Sequence, residues 1–250
     1  MISRLILLRH GQSKWNKENK FTGWTDVDLT EKGEFEAKES GTSIQDNGFK
    51  VDLVYVSYLK RATRTAKICL NQLENQNFKV LSDWRLNERH YGSLQGLNKS
   101  ETAKKYGEDQ VLVWRRSFDT PPPKMDLNDS GHPSKDELYN NIDAKLLPSG
   151  ESLKDTLQRV KPLFDNELVH KIQNGNNILI VAHGNSLRAI VKIIKKISDQ
   201  DIVDLNIPTG TPYVFELGEK LEVIEDYYLG SKEEVEKRTK AVEEQGKSLN

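Results

Sequence analysis

The chain has 250 residues, enough for one large domain or two small ones and for a sizeable buried core. Its 37 Lys and Arg against 38 Asp and Glu give a formal charge of −1, which excludes a surface built throughout to grip nucleic acid or anionic lipid. A local cationic pocket stays open, because a total does not say where charges sit.

The first ten residues carry one early basic residue, Arg4, and then the apolar run Leu5–Leu8. That run is too short for a signal peptide, and no apolar stretch approaches the roughly 18 residues of a membrane span. The expectation is a protein of the cytoplasm with no membrane partner. Leu5–Leu8 reads instead as a strand buried on both faces, and the same pattern recurs at Leu53–Val56 and at Ile178–Ala182. A helix is expected from Thr30, a plausible N-cap, to the stop at Gly48. A second follows Ser57, with Ala62, Ala66, Cys69, Leu70 and Leu73 near helical spacing. Two more are expected from Glu151 past Val169 and from Gly184 through Ile194. Strands alternating with helices predict an α/β fold, with a mostly parallel central sheet flanked by helices on both faces.

Residues from about 98 to 148 break the alternation with Pro121-Pro122-Pro123 and Gly131-His132-Pro133. They read as an insertion of short helices and loops within one catalytic domain, 1–230. Residues 231–250 read as a charged, mobile tail with a marginal helix. The lone Cys69 permits no internal disulfide and no Cys-x-x-Cys zinc spacing, so no metal is expected.

Of the five histidines, two are placed alike. Arg9-His10-Gly11 directly follows the first strand, and His183-Gly184-Asn185 follows Ile178–Ala182. In a parallel sheet, ligands bind beyond the carboxyl ends of the strands, so residues 173 positions apart can share one site. Each histidine precedes a glycine, which permits a tight turn, and then a helix whose free N–H groups favour an anion. Arg61, after the strand Leu53–Val56, belongs near the same sheet edge. Its planar fork suits phosphate or carboxylate oxygens.

At this point six blocks, in order, resemble the cofactor-dependent phosphoglycerate mutases of the histidine phosphatase superfamily. They are Arg9–Asn16, Phe21–Trp24, Glu88–Lys99, Trp114–Ser117, Glu151–Asp155 and Ala182–Arg188, and the tail's Ala241–Lys247 is similar as well. The resemblance implies a phosphohistidine at His10, primed by 2,3-bisphosphoglycerate, in a homodimer or homotetramer that interconverts 3- and 2-phosphoglycerate. Neutral imidazole is a competent nucleophile near pH 7, and its P–N bond is labile enough to pass the group on. With no metal cluster evident, fixed donors must stabilise the moving phosphoryl group. Arg9, Arg61 and His183 are expected in that role, assisted by Asn16 and the backbone of Gly184, with Asn185 a substrate-binding residue of the same block. Glu88 matches the family's acid/base, which must protonate one alkoxide and deprotonate one hydroxyl. Arg89, Tyr91, Lys99, Arg115 and Arg116 match positions that grip the phosphoglycerates, with Thr22 and Gly23 as loop contacts and Ser13 in the first block. His90, His132 and His170 are expected to be structural or solvated, and the four tryptophans to be packing residues. Gln12 stands where the family often has Glu.

A bisphosphoglycerate synthase and a histidine-type phosphatase are the nearest alternatives. A phosphatase delivers its phosphohistidine to water and needs no grip on an acceptor, whereas the insertion supplies such a grip. A metal hydrolase using His10, His183 and Glu88 lacks helix-borne ligand spacing. A binding module that has lost catalysis would not be expected to keep His10, Arg61, Glu88 and His183 together.

Overall fold

A computed structural model of the chain describes residues 2–244. In chain order the strands are β1 (Ser3–Arg9), β2 (Leu53–Val56), β3 (Lys79–Ser82), β4 (Ile178–Ala182), β5 (Tyr213–Leu217) and β6 (Val223–Tyr228). The helices are α1 (Lys14–Lys17), α2 (Glu31–Asp46), α3 (Lys60–Leu70), α4 (Lys99–Tyr106), α5 (Glu108–Arg116), α6 (Leu153–Leu163), α7 (Val169–Gln173), α8 (Gly184–Lys195) and α9 (Lys232–Glu243). All six strands form one sheet in the order β3-β2-β4-β1-β5-β6, parallel from β3 to β1 and antiparallel at β5 and β6.

The alternation of side chains along β1 sorts the core into two layers. Leu5 and Leu7 pack with Ile178, Ile180 and Phe215 against Val160 and Leu163 of α6 and Leu187 and Ile190 of α8. Ile6 and Leu8 pack with Val54, Val56 and Val181 against Ile44 of α2 and Ala62, Ala66 and Cys69 of α3. Helices therefore cover both faces, which is why β1 and β4 carry unbroken apolar runs.

The helix starts follow local chemistry. The Thr30 side chain accepts the Gly33 N–H at the start of α2, and Ser152 with Asp155 forms a reciprocal cap on α6. Between α6 and α7 the backbone widens into one π turn, Phe164–Leu168, just after Pro162, which has no N–H to donate to the helical ladder. The expected long helix is thus continuous but not uniform.

The insertion holds α4, α5 and short 3-10 turns, without a strand. The segment expected as a mobile tail carries α9, whose Arg238 donates to the Gly210 carbonyl at 2.9 Å and to Glu39 at 2.8 Å. Its resemblance over Gln245–Lys247 lies outside the described residues.

Candidate active site

Sheet register makes the site. β1 and β4 are neighbours with Arg9 opposite Ala182, and the His10 N–H donates to the Ala182 carbonyl at 3.0 Å. The next residues along, His10 and His183, are therefore side by side, with ring centroids 4.9 Å apart. β2 flanks β4 on its other side, bringing Ser57 to His183 at 2.7 Å.

The ring of His10 is held by its own turn. Nδ1 lies 2.7 Å from the Gly11 carbonyl, which can only accept, so the ring proton sits on Nδ1 and the Nε2 lone pair is left to react. Arg61 Nε approaches that Nε2 at 3.3 Å. Burial, then the charges of Arg61 and Arg9, holds the His10 pKa well below the usual imidazole range, although the Gly11 bond opposes them. The imidazole is neutral, as a nucleophile must be. The Gly11 turn is itself packed tightly: a Cβ there would lie 2.1 Å from the Gly33 carbonyl oxygen.

His183 is also held neutral, by burial first and by Arg61 second. The Ser57 hydroxyl, which accepts the Leu59 N–H at 3.3 Å, lies 2.7 Å from His183 Nε2, while His183 Nδ1 is buried with no hydrogen-bond partner. An unpaired buried polar atom is costly unless a ligand meets it.

Arg61 is buried at the start of α3 and clamps the loop before it. It donates to the carbonyls of Gly23 at 2.7 Å and Thr25 at 3.0 Å. Glu88 lies on irregular backbone between two 3-10 turns. Its Oε1 accepts the N–H groups of Arg89 at 2.7 Å and Asn185 at 3.1 Å. Oε2 faces Gly184, where a Cβ would stand 3.6 Å from it and 3.6 Å from Arg9 Nε. Gly184 keeps that space open at the mouth of α8.

These groups line one pocket. Of the residues expected from the sequence, Arg9, His10, Asn16, Thr22, Gly23 and Arg61 reach it from the first third of the chain. Glu88, Tyr91, Lys99, Arg115, Arg116, Gly184 and Asn185 reach it from the rest. Three expected residues stand behind the lining. His183 packs on His10, and Ser13 caps α1 while its hydroxyl and N–H meet the Asn16 amide. Arg89 is fully buried, donating to the Tyr91 hydroxyl at 3.1 Å and to the Arg115 carbonyl. It shapes the wall of the pocket; it does not line it.

Lys20, Arg188, Asn206, Ile207 and Val242 also line the pocket and were not expected. Arg188 had a readable signal, since it lies one helical turn after Gly184 on α8 and so shares its face. It donates to the Asn185 amide oxygen at 2.9 Å and to the Ile202 carbonyl at 2.5 Å, leaving Nε unpartnered. Asn206 comes from a loop that nothing local marks, and Val242 comes from α9, within the tail segment whose resemblance was noted without a role for it. Trp24 does more than pack: its Nε1 donates to the Glu88 carbonyl at 2.5 Å. Gln12 lies just outside, its side chain accepting the Thr30 hydroxyl at 2.9 Å while its N–H donates to buried Glu36 at 2.7 Å.

Seven cations and one carboxylate line the pocket. Burial, with neighbouring guanidinium groups behind it, lowers Arg188 to about 9 and Arg115 to about 10, and holds Lys99 well below the usual lysine range. Such crowding of like charge, with Arg9 Nε and Arg188 Nε lacking partners, is the arrangement of a site built for a polyanion.

Comparison with known proteins decides the family. The profile of the histidine phosphatase superfamily (branch 1) matches residues 5–138 and 126–229. The 2,3-bisphosphoglycerate-dependent phosphoglycerate mutase 2 of Bacteroides thetaiotaomicron is 51% identical over 246 residues, covering 98% of this chain and 99% of its own. The 2,3-bisphosphoglycerate-dependent phosphoglycerate mutase of Treponema denticola is 52% identical over 244 residues, with 98% and 99% covered. The chain belongs to the 2,3-bisphosphoglycerate-dependent phosphoglycerate mutases of the histidine phosphatase superfamily.

Solved structures support the superfamily's fold. A mycobacterial glucosyl-3-phosphoglycerate phosphatase superposes with a TM-score of 0.67 at 23% identity, covering 91% of this chain and 97% of that one. A second structure, named mycobacterial hydrolase 1, gives 0.70 at 22%, with 92% and 100% covered. At such identities the likeness is one of fold. Among the described residues no group of three or more His, Cys, Asp or Glu could hold a metal ion, and no helix is long and apolar enough to cross a membrane.

Proposed function

We propose that this chain interconverts 3-phosphoglycerate and 2-phosphoglycerate through a phosphohistidine on His10. The observation that carries the reading is the neutral His10 Nε2 facing a pocket of seven cations and a single carboxylate, Glu88. Bound 2,3-bisphosphoglycerate supplies the first phosphoryl group. The residues present suit it: buried, unpartnered N–H groups on Arg9 and Arg188 match a small polyanion.

In this reading His10 Nε2 attacks phosphorus, the P–O bond breaks, and Glu88 gives its proton to the departing alkoxide. Arg9, Arg61, His183 and the backbone N–H of Gly184 hold the charge on the transferring oxygens, with Asn16 at the edge. An incoming 3-phosphoglycerate then offers its free 2-hydroxyl, and Glu88 takes that proton as the hydroxyl oxygen attacks the phosphohistidine and the P–N bond breaks. The bisphosphoglycerate so formed turns to present its 3-phosphoryl group, which passes to His10 as Glu88 protonates the departing alkoxide, leaving 2-phosphoglycerate and restoring the phosphohistidine. Lys99, Arg115, Arg116 and Tyr91 hold the substrate's other anionic groups, with Arg89 setting Tyr91 and Arg115, and with Thr22 and Gly23 closing one side. The same intermediate leaks to water, so minor synthase and phosphatase activity is expected.

The reading includes a glycolytic and gluconeogenic role in the cytoplasm and assembly as a homodimer or homotetramer. A coupled assay of 3-phosphoglycerate with and without added 2,3-bisphosphoglycerate tests the core of it. Turnover should depend on the primer, and release of free phosphate without 2-phosphoglycerate would indicate a phosphatase instead. The primer should also leave acid-labile, base-stable phosphate on the protein; retention of that label by His10→Ala would overturn the assignment.

A further inference from the structure

Glu88 stands on backbone that cannot satisfy itself. The stretch from Trp84 to Gly92 runs through two short 3-10 turns with no sheet or α-helix between them, yet Asn87, Glu88, Arg89 and His90 are all buried. Buried carbonyls need partners, and here one guanidinium supplies most of them. Arg159, in α6, donates to the carbonyls of Arg85 at 2.7 Å, Asn87 at 3.2 Å and Glu88 at 3.2 Å.

Arg159 is itself fixed by Glu151, in two parallel bonds of 2.7 and 2.8 Å. Glu151 also grips the far end of the stretch. Its Oε2 accepts the His90 N–H at 2.8 Å, and its own N–H donates to the His90 carbonyl at 2.8 Å. The guanidinium lies 5.4 Å from the Trp24 ring, and Trp24 donates to the same Glu88 carbonyl. Both charged residues are nine-tenths or more buried, and neither lines the pocket.

We propose that Glu151 and Arg159 are the positioning pair for proton transfer: they hold the Glu88 backbone so that Oε1 is tied to N–H groups and Oε2 alone faces the reacting oxygens. The assignment rests on Glu88 as the acid/base. A buried ion pair is a poor source of stability, since an apolar pair of similar volume often serves as well. It is a good source of geometry, because a planar fork bonded on both sides permits little rotation.

The test separates proton transfer from folding. p-Nitrophenyl phosphate phosphorylates His10 with a leaving group that departs without a proton, so its single-turnover burst does not need Glu88. Arg159→Lys and the double variant Arg159→Met/Glu151→Leu should lower kcat for 3-phosphoglycerate by about 100-fold, the effect of an ångström-scale misplacement. KM should stay within about twofold and the burst within about threefold of the parent, the selectivity that Glu88→Gln should also show. Parallel loss of burst and turnover, or turnover unchanged in both variants, would overturn the proposal. Failure of the mutase reading looks different: the parent itself would show the burst but no mutase turnover, and the same selectivity would then be read on hydrolysis of an alkyl phosphate monoester.

Discussion

Arg61 combines three tasks whose energies can be set against one another. Replacing it by Met keeps much of the side-chain volume and removes the charge. The carbonyls of Gly23 and Thr25 lose their donor, at about 1–3 kcal/mol each. Against that, burial has pulled the Arg61 pKa down to about 10, a penalty on the charged form of about 3 kcal/mol that the variant no longer carries. The two effects nearly cancel, so Arg61→Met should destabilise the fold by at most about 3 kcal/mol.

Catalysis enjoys no such cancellation. Loss of one preorganised donor to a developing charge lowers the rate by about 10²–10³-fold. Arg61 is also the second cause, after burial, of the lowered His10 pKa, so that pKa should rise in the variant. Urea unfolding, rapid-quench phosphorylation of His10 and imidazole NMR titration measure the three effects. A variant that unfolds below the parent by more than about 5 kcal/mol, or that is phosphorylated within about tenfold of its rate, would refute the reasoning.

Gly184→Ala sets a methyl group at ordinary contact distance from Arg9 and Glu88, so the fold should survive with its thermal midpoint unchanged or slightly raised. The methyl occupies the space between acid and anion, and mutase turnover should fall at least about tenfold; full activity would show that the phosphoryl group lies elsewhere. Truncation after Gly230 removes Val242 and the Glu243 carboxylate that accepts from Asn206 at 3.1 Å, which in turn accepts from Arg116 at 2.5 Å. Mutase activity should drop more than phosphate release, and an unchanged ratio would count against α9 as a wall of the site. His90, lowered to about 3 chiefly by burial and then by His132, binds a proton in the unfolded chain below pH 6.5 but not in the native one. Stability contributed by neutral His90 is therefore complete above that pH and lost on acidification, at about 1.4 kcal/mol per pH unit down to about pH 3. His90→Asn, which keeps an acceptor for the Gly92 N–H, should flatten the fall in urea midpoint between pH 7 and pH 5, whereas identical slopes would refute the linkage.

The parts legible in the sequence were those where local pattern and long-range position coincide. β1 and β4 are buried on both faces, so their apolar runs stand out, and the histidines that end them meet by register. β3 and β6 lie at the sheet edges, β3 largely exposed and β6 mostly half-buried with no buried residue, and no buried face imposed an apolar run on them. β5 is buried but pairs antiparallel after a long loop, so the strand–helix alternation gave no hint of it. Arg159 was the instructive omission. It occupies a position on the buried face of α6 beside Val160 and Leu163, where an arginine makes sense only with internal partners.

How each arginine is held separates structure from recognition. Arg64, Arg85, Arg159 and Arg238 each meet a carboxylate, Asp28, Asp83, Glu151 and Glu39 respectively, which neutralises them in place. Four of the pocket's five arginines are held otherwise. Arg9 donates to the Ile207 carbonyl, Arg61 to those of Gly23 and Thr25, Arg188 to that of Ile202, and Arg116 to the Asn206 amide. Carbonyl and amide oxygens fix a guanidinium without cancelling its charge, so the field of each remains directed at the cavity. Among the described residues none of these four forms an ion pair with a carboxylate, and the charge they lack must come from the ligand. A chain with a total charge of −1 can therefore concentrate a strong positive potential in one place, because these scaffold arginines have carboxylates beside them and the pocket's four do not.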